Sequence, residues 1–328
     1  MEDPCVLGQI TCPSGQLALM DGGYLGLWSG DRSPAEVRDP EGVPAVDFEV
    51  VGADAEAAAR SLDRQSGRYL YDIPEHAVAE FVAMFDAHCR EHGFAASLQP
   101  YPRQVPHRER LRRAVAAGDP DFLITGVPVI PIGSVPSDRP LVVTAFPGEW
   151  GWRQIRIAFA SSPAVRSRPL GRIGVDAARF VFADADALGS WVHEDSLDGL
   201  ADVAFWGGDE DLIAAEFGAE RTGTPGEDHY GWVDLPIQQA YDRAVALNDR
   251  RNAAPRARFA FDFRPHSHHF QVMAAVRAAE HEAATITVGD AEIMMAMTSV
   301  GDGFFPVHLD LDAAGAPVAA TITIDDGE

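Results

Sequence analysis

Residues 264–270 read Arg-Pro-His-Ser-His-His-Phe and hold three of the chain's 11 histidines. Imidazole is the commonest metal ligand and general base near neutral pH. On a helix His266 and His269 lie three apart and share a face, whereas His268 and His269 point different ways. Asp262 or His281 would have to join them from elsewhere to complete an ion site. The spacing matches no structural zinc pattern. The expectation is polar side chains around a helix start, with no metal and no cofactor.

Acids recur in a second pattern. GRYLYDIP (67–74) and HYGWVDLP (229–236) are two versions of one phrase, with Gly and aromatics before an Asp, an aliphatic and a Pro. Pro is tolerated at the first position of a helix, and an Asp near a helix start is favoured by the exposed N–H groups there. Asp72 and Asp234 are therefore expected to cap helices, with ligand binding the alternative. DADALG (184–189) has the alternating acids and the Gly of a calcium loop, but Leu188 stands where the third acid belongs. It reads as a turn capped by Asp, and DLDAAG (310–315) reads as a hairpin turn. No Gly-x-Ser-x-Gly elbow, phosphate-binding Gly-x-x-x-x-Gly-Lys, His-Glu-x-x-His or Cys-x-x-Cys is present. DGGYLG lacks the dinucleotide spacing.

The elements that position these residues come in two sets. VDFEVVGADAEAAARSL from Val46 is paralleled by ADVAFWGGDEDLIAAEF from Ala201, matching Asp47 with Asp202, Gly52 with Gly207 and Asp54 with Asp209. Asp72 and Pro74 then match Asp234 and Pro236, and the longer spacing is taken up by RTGTPGEDH (221–229), an insertion of small entropic cost. Pro106-His107 faces Pro265-His266, and GEWGWRQIRIAF from Gly148 faces GDGFFPVHLDL from Gly301. The order is kept throughout, as a tandem duplication requires. The expected organisation is a diverged first copy over 1–160, a linker over 161–171 with Ser/Pro/Arg character, and a second copy over 172–328.

Each copy reads as short strands, a helix begun after Asp54 or Asp209 as cap, the Asp-x-Pro phrase and a second helix. A third helix follows the Pro-His pair, and β-rich sequence closes the copy. Val78, Phe81, Val82 and Phe85 fall at helical spacing before Gly93, a natural stop. The fold class is α+β: two related copies, each with an antiparallel β-rich sheet and two to three helices.

GDGFFPVHLDLDAAGAPVAATITI (301–324) resembles the end of a bacterial family catalogued as domain of unknown function 4241. That family closes with a Gly-Asp-Gly turn, aromatic-Pro-Val, a strand, an Asp/Gly hairpin and a final strand. Gly301, Asp302, Gly303, Phe305, Pro306 and Val307 carry the match, with Phe305 where Tyr is usual. The resemblance implies a soluble intracellular protein and names no activity, which leaves an immunity or accessory role open.

Lys+Arg 26 against Asp+Glu 50 gives a formal net charge of -24, which disfavours nucleic acid and anionic lipid. Cys5, Cys12 and Cys89 are odd in number and irregular in spacing, unlike a disulfide framework. The N-terminal residues lack a secretory pattern and no apolar run is long enough for a membrane span, so a cytoplasmic chain is expected. The six tryptophans, several beside Gly, read as core filling. Together these point to a non-enzymatic binding protein, with an immunity-type partner as one form, meeting a basic protein or a small-molecule ligand. The alternative is an enzyme of unfamiliar type, a hydrolase or biosynthetic accessory enzyme, with a pocket between or within the copies. Contact is expected on the second copy at Asp234, His266, Asp302 and His308. That copy keeps the intact Gly-Asp-Gly turn, where the first offers Trp150 and Arg153.

Overall fold

The computed structural model describes residues 3–37, 43–62, 67–118, 122–223, 228–254 and 256–324; residues 224–227, the centre of the RTGTPGEDH insertion, lie outside them. The first half contributes β1 (Cys5–Ile10), β2 (Gln16–Asp21), α1 (Pro34–Val37), β3 (Ala45–Gly52), α2 (Ala55–Leu62), β4 (Tyr69–Pro74), α3 (Val78–His92), β5 (Ala96–Pro100), α4 (His107–Ala117), β6 (Phe122–Ile124), β7 (Val127–Gly133), β8 (Leu141–Pro147) and β9 (Trp152–Ala158). The second contributes β10 (Arg166–Val175), β11 (Arg179–Asp184), β12 (Leu200–Trp206), α5 (Glu210–Phe217), β13 (Glu220–Thr222), β14 (His229–Pro236), α6 (Ile237–Ala253), β15 (Ala260–Pro265), α7 (His268–Ala278), β16 (Ala283–Val288), β17 (Ala291–Met297), β18 (Gly303–Leu311) and β19 (Pro317–Thr323). The strands described pair antiparallel, and the class is α+β.

Two compact units result: residues 1–191 with 281–328, and residues 192–280. The chain is thus divided differently from a cut at 161–171. Residues 166–171 are not a linker but the first part of β10, paired with β18.

The larger unit is built on two six-stranded sheets, β1-β8-β9-β19-β18-β10 and β16-β17-β11-β2-β7-β6. Alternation in sequence puts Leu141, Val143 and Ala145 of β8, and Phe305, Val307, Leu309 and Leu311 of β18, on the buried face. They share one core with Leu17, Leu19, Phe180 and Phe182 of the other sheet. Each of the larger of these side chains, Ala145 apart, contributes roughly 1.5–3 kcal/mol by leaving water.

The strand order of both sheets is palindromic. Match β1, β2, β6, β7, β8 and β9 in chain order with β10, β11, β16, β17, β18 and β19, and each sheet becomes itself read backwards. Side chains follow the same rule. Asp21 at the end of β2 accepts the N–H groups of Gly23 and Asp176; Asp184 at the end of β11 accepts those of Asp186 and Ser14. Each carboxylate closes its own turn and holds the loop before the other half's matching strand. The DADALG turn is therefore an Asp-capped turn, and Asp312 likewise closes the DLDAAG hairpin through Ala314 and Ala316.

The palindrome moves one match. The Gly148–Gly151 turn joins β8 to β9, so its opposite number is the hairpin at 312–316 and not Gly301–Gly303. The Gly-Asp-Gly turn lies between β17 and β18 and corresponds to residues 134–140. Ser134 and Ser299 mark the equivalent points at φ 58° and 66°. The left-handed glycine of the turn is Gly301 at φ 92°, whereas Gly303 already belongs to β18.

Each half also carries an α/β insertion between its second and third sandwich strands. In the first, β4-β3-β5 packs against α2 and α3 through Phe48, Leu70, Phe81 and Phe85. In the second, which is the smaller unit, β13-β14-β12-β15 packs through Val203, Phe205, Ile213 and Leu247. The central strand of each, β3 or β12, lies between the phrase-bearing strand, β4 or β14, and the strand after the long helix.

Candidate functional site

Both copies of the Asp-x-Pro phrase are strands that run to the Pro, and both break the ladder at the Asp. Register shifts fall between Val46 and Phe48 on β3 and between Ala201 and Val203 on β12, where Asp47 faces the two residues Tyr71 and Asp72 and Asp202 faces Val233 and Asp234, so that the bulge lies on the phrase-bearing strand. Opposite them Asp72 and Asp234 sit at φ 56° and 54°, a left-handed conformation that Asp tolerates better than most residues. The Asp72 N–H donates to Asp47 Oδ1 at 2.9 Å, and the Asp234 N–H donates to Asp202 Oδ1 at 2.8 Å. Helix capping is therefore not their role. Pro74 and Pro236 occupy the N-cap positions with no side-chain cap bond. Asp209 holds the N-cap position of α5 without a side-chain cap bond; the Asp54 and Asp209 carboxylates accept the N–H groups of Ala95 and Arg258.

In the first half a guanidinium occupies the acid pair, although Asp72 also lines a cavity of about 430 Å³. Arg110 from α4 is fully buried, and its guanidinium grips Asp72 with two bonds of 2.8 Å while also reaching Asp47 Oδ2 at 3.2 Å. Its remaining donors meet the carbonyls of Val105 and Leu123, and its plane lies 4.4 Å over the Tyr71 ring. Burial alone would raise the Asp72 pKa, but the Arg110 charge and hydrogen bonds hold it below the usual carboxylate value. His107, one turn away, is pushed down to about 3 by burial and then by Arg110. It stays neutral and accepts the Ser29 N–H at Nδ1.

In the second half the same pair is open. His107 and His268 are geometric equivalents: each accepts, at Nδ1, the N–H of the residue after Trp28 or Trp191. The Pro106-His107 match thus shifts by two residues, from Pro265-His266 to Ser267-His268. Three positions on from His268, where α4 has Arg110, α7 has Gln271. The acid pair meets His266 instead. Nε2 lies 3.1 Å from Asp202 Oδ1 and 3.9 Å from Asp234 Oδ1, while Nδ1 lies 3.0 Å from Asp198 Oδ2. Burial lowers the His266 pKa, but the bonds to Asp202 and Asp198 outweigh it and the net direction is upward. Asp198 is held low, first by the Leu200 N–H and then by His266. The Asp234 side chain stays 74% exposed.

Asp202 also lines a cavity of about 820 Å³ within the smaller unit. Phe263, Phe270 and Met273 give it apolar walls, and Asp262, Arg264 and Arg277 give it charge. Arg264 and Asp262 pair at 2.8 Å. Asp202, Asp234 and His266 present one donor atom each, all within 4.8 Å of one another, and are the one such group of His, Cys, Asp or Glu found among the described residues.

Of the four expected site residues, Asp234 and His266 meet. Asp302 and His308 belong to the larger unit and do not meet each other, being separated by six residues of mostly extended chain, roughly 20 Å. Asp302 accepts the Ala178 N–H at 2.9 Å, a turn role; His308 sits mid-strand opposite Pro169 and Thr321. His269 packs against His193 with ring centroids 4.4 Å apart and planes tilted by 35°, and is not in the group formed by Asp202, Asp234 and His266. His281 contacts Cys5 Sγ at 2.8 Å in the larger unit. Asp198, Asp202 and Arg110 complete the picture. Asp202 is already the sequence match of Asp47, whereas Asp198, four residues before it, carries no signal of its own in the sequence.

No protein-family model, curated protein or solved structure matches this chain. No helix among the described residues is long and apolar enough to cross a membrane.

Proposed function

We propose that this is a non-enzymatic binding protein made of two copies of one ancestral unit, in which the first copy's ligand site is closed and the second copy's is open. The carrying observation is the fate of the acid pair: Arg110 occupies it in the first half, and in the second Asp234 is exposed and its partner Asp202 lines a cavity. The palindromic strand order and the reciprocal Asp21 and Asp184 turns support common descent of the halves. The ligand carries positive charge where it meets Asp202 and Asp234, because that is what Arg110 supplies in the closed copy. An immunity-type role, with a basic segment of another protein as ligand, fits the formal net charge of -24.

The test uses defined cations. Arginine, agmatine, spermidine and short Arg-rich peptides are titrated into the full chain, and binding is read by calorimetry. At least one should bind saturably. Ala274→Trp, which fills the cavity from α7, should abolish binding without lowering the melting temperature. Binding by none of the probes, or binding indifferent to Ala274→Trp, rejects the reading.

A second reading, a hydrolytic enzyme, is favoured by one feature: His266 is held between Asp198 and Asp202 beside the cavity, as a general base would be. Turnover of chromogenic esters or phosphoesters that is lost in His266→Gln would select it.

A further inference from the structure

We infer that the open acid pair of the second half binds a divalent transition-metal ion, ligated by Asp202 Oδ1, Asp234 Oδ1 and His266 Nε2. This deepens the binding reading above and rests on it: the cation that meets the pair is a metal.

The first support is the closed copy. There the equivalent carboxylates, Asp47 and Asp72, hold a permanent cation between them. Two carboxylates and one guanidinium leave a single net negative charge. In the second half Asp198, Asp202 and Asp234 are three carboxylates around His266. With a neutral imidazole and one dication they also leave a single net negative charge. Without the ion the second site is the more negative of the two, although its acids hang on the same bulged strand pair.

The second support is the orientation of His266. Nε2 faces Asp202 and Asp234, and Nδ1 is bonded to the Asp198 carboxylate at 3.0 Å. A ligating histidine characteristically gives its other ring N–H to a carboxylate, which fixes the tautomer and aims the free nitrogen at the metal. The ring is further held by Phe270, stacked at 5.0 Å and 9°. Asp198 is thus a positioning residue, and it lies four residues before the ligand that bounds the cavity.

The donor set selects the ion. Two carboxylate oxygens and an imidazole suit Mn²⁺, Fe²⁺ or Zn²⁺ better than Mg²⁺ or Ca²⁺, which favour all-oxygen sites. Three protein ligands leave coordination positions open, as in sites where a metal meets a ligand or substrate. The histidine run carries no spacing for such an ion because its ligands come from three strands' ends, β12, β14 and β15.

The test is titration of the EDTA-stripped full chain with MnCl₂ and ZnCl₂, and with MgCl₂ as control, by calorimetry. One ion per chain should bind, at least about tenfold more tightly than Mg²⁺. Asp234→Asn, at an exposed position, should weaken binding at least about tenfold while leaving the metal-free melting temperature unchanged. Asp198→Asn should weaken it by about ten- to a hundredfold, as loss of an orienting carboxylate does. Absence of saturable uptake of either ion, or uptake undiminished in Asp234→Asn, overturns the inference. An organic cation that binds the stripped chain where no metal does leaves the binding reading standing and removes only this one.

Discussion

Arg110 is a full charge with no water around it, and Asp47 and Asp72 are what stabilise it there. Removing one member of a buried charge group leaves the others uncompensated, typically at about 3–5 kcal/mol. Arg110→Met should therefore lower stability by that order in urea denaturation, and adding Asp72→Asn should recover part of the loss. His107 gives the same region a pH dependence. Its folded pKa, about 3, lies below its ordinary 6.5, so the stability it contributes is complete above pH 6.5 and is lost as pH falls from 6.5 toward 3. The slope in that window is about 1.4 kcal/mol per pH unit. Denaturation at pH 7, 6 and 5 should show this decline, and His107→Gln should flatten it. His268, lowered by burial, acts in the same direction and leaves the variant a residual slope. At this scale the sequence exposed Asp72, Asp234 and His266 through their repeated surroundings. It hid Arg110, because HRERLRRAV looks like a solvated helix face; nothing local says that one of its four arginines turns inward. It also hid Asp198, which becomes part of the site only through a contact 68 residues away in the chain.

The repeated phrase is a strand that bulges at its Asp, not a strand ending in a cap. The capping expectation assumed that the chain turns at the Asp. In fact the ladder resumes beyond it, with Ala45 opposite Pro74 and Leu200 opposite Pro236. The bulge is what turns two carboxylates toward the same point. The matched glycines serve the same architecture at the far end of each central strand. Gly52 and Gly207 adopt φ 124° and 130°, and a Cβ there would come within 2.3 Å of the Ala95 carbonyl oxygen or 2.5 Å of the Arg258 one. Backbone carbonyls of a neighbouring strand cannot swing aside. Gly52→Ala and Gly207→Ala should each cost more than about 1–3 kcal/mol, combining backbone strain with the clash, while Gly218→Ala, with open space around it, should carry the conformational cost alone. Thermal melts of the three variants compare them directly. The helices were legible because their signals are local: α3 buries Phe81 and Phe85 and ends at Gly93 with φ 71°. The identity of each strand's partner was not, because pairing across the two halves leaves no local periodicity.

At the level of the whole chain, the halves of the sequence and the compact units do not coincide. Residues 192–280 have their own core, centred on Val203, Phe205, Ile213 and Leu247. Expressed by themselves they should give a cooperative melt and dispersed amide signals. Residues 1–160 expressed by themselves should not give a stable monomer, since β9 would lack β19 and β2 would lack β11; gel filtration should find dimers or aggregates. A monomeric, cooperatively folded 1–160 fragment would contradict the pairing. The two central pairings also govern how the chain emerges from a ribosome. β2 is complete at residue 21 and β9 at residue 158, yet β11 begins at residue 179 and β19 at residue 317. Each waits for a partner about 160 residues behind it, on the order of ten to thirty seconds at ordinary elongation rates. For that interval two strand edges rich in aliphatic residues stand uncovered on the nascent chain. Its yield in a cell should therefore depend on translation speed and chaperone supply more steeply than its folded stability would suggest.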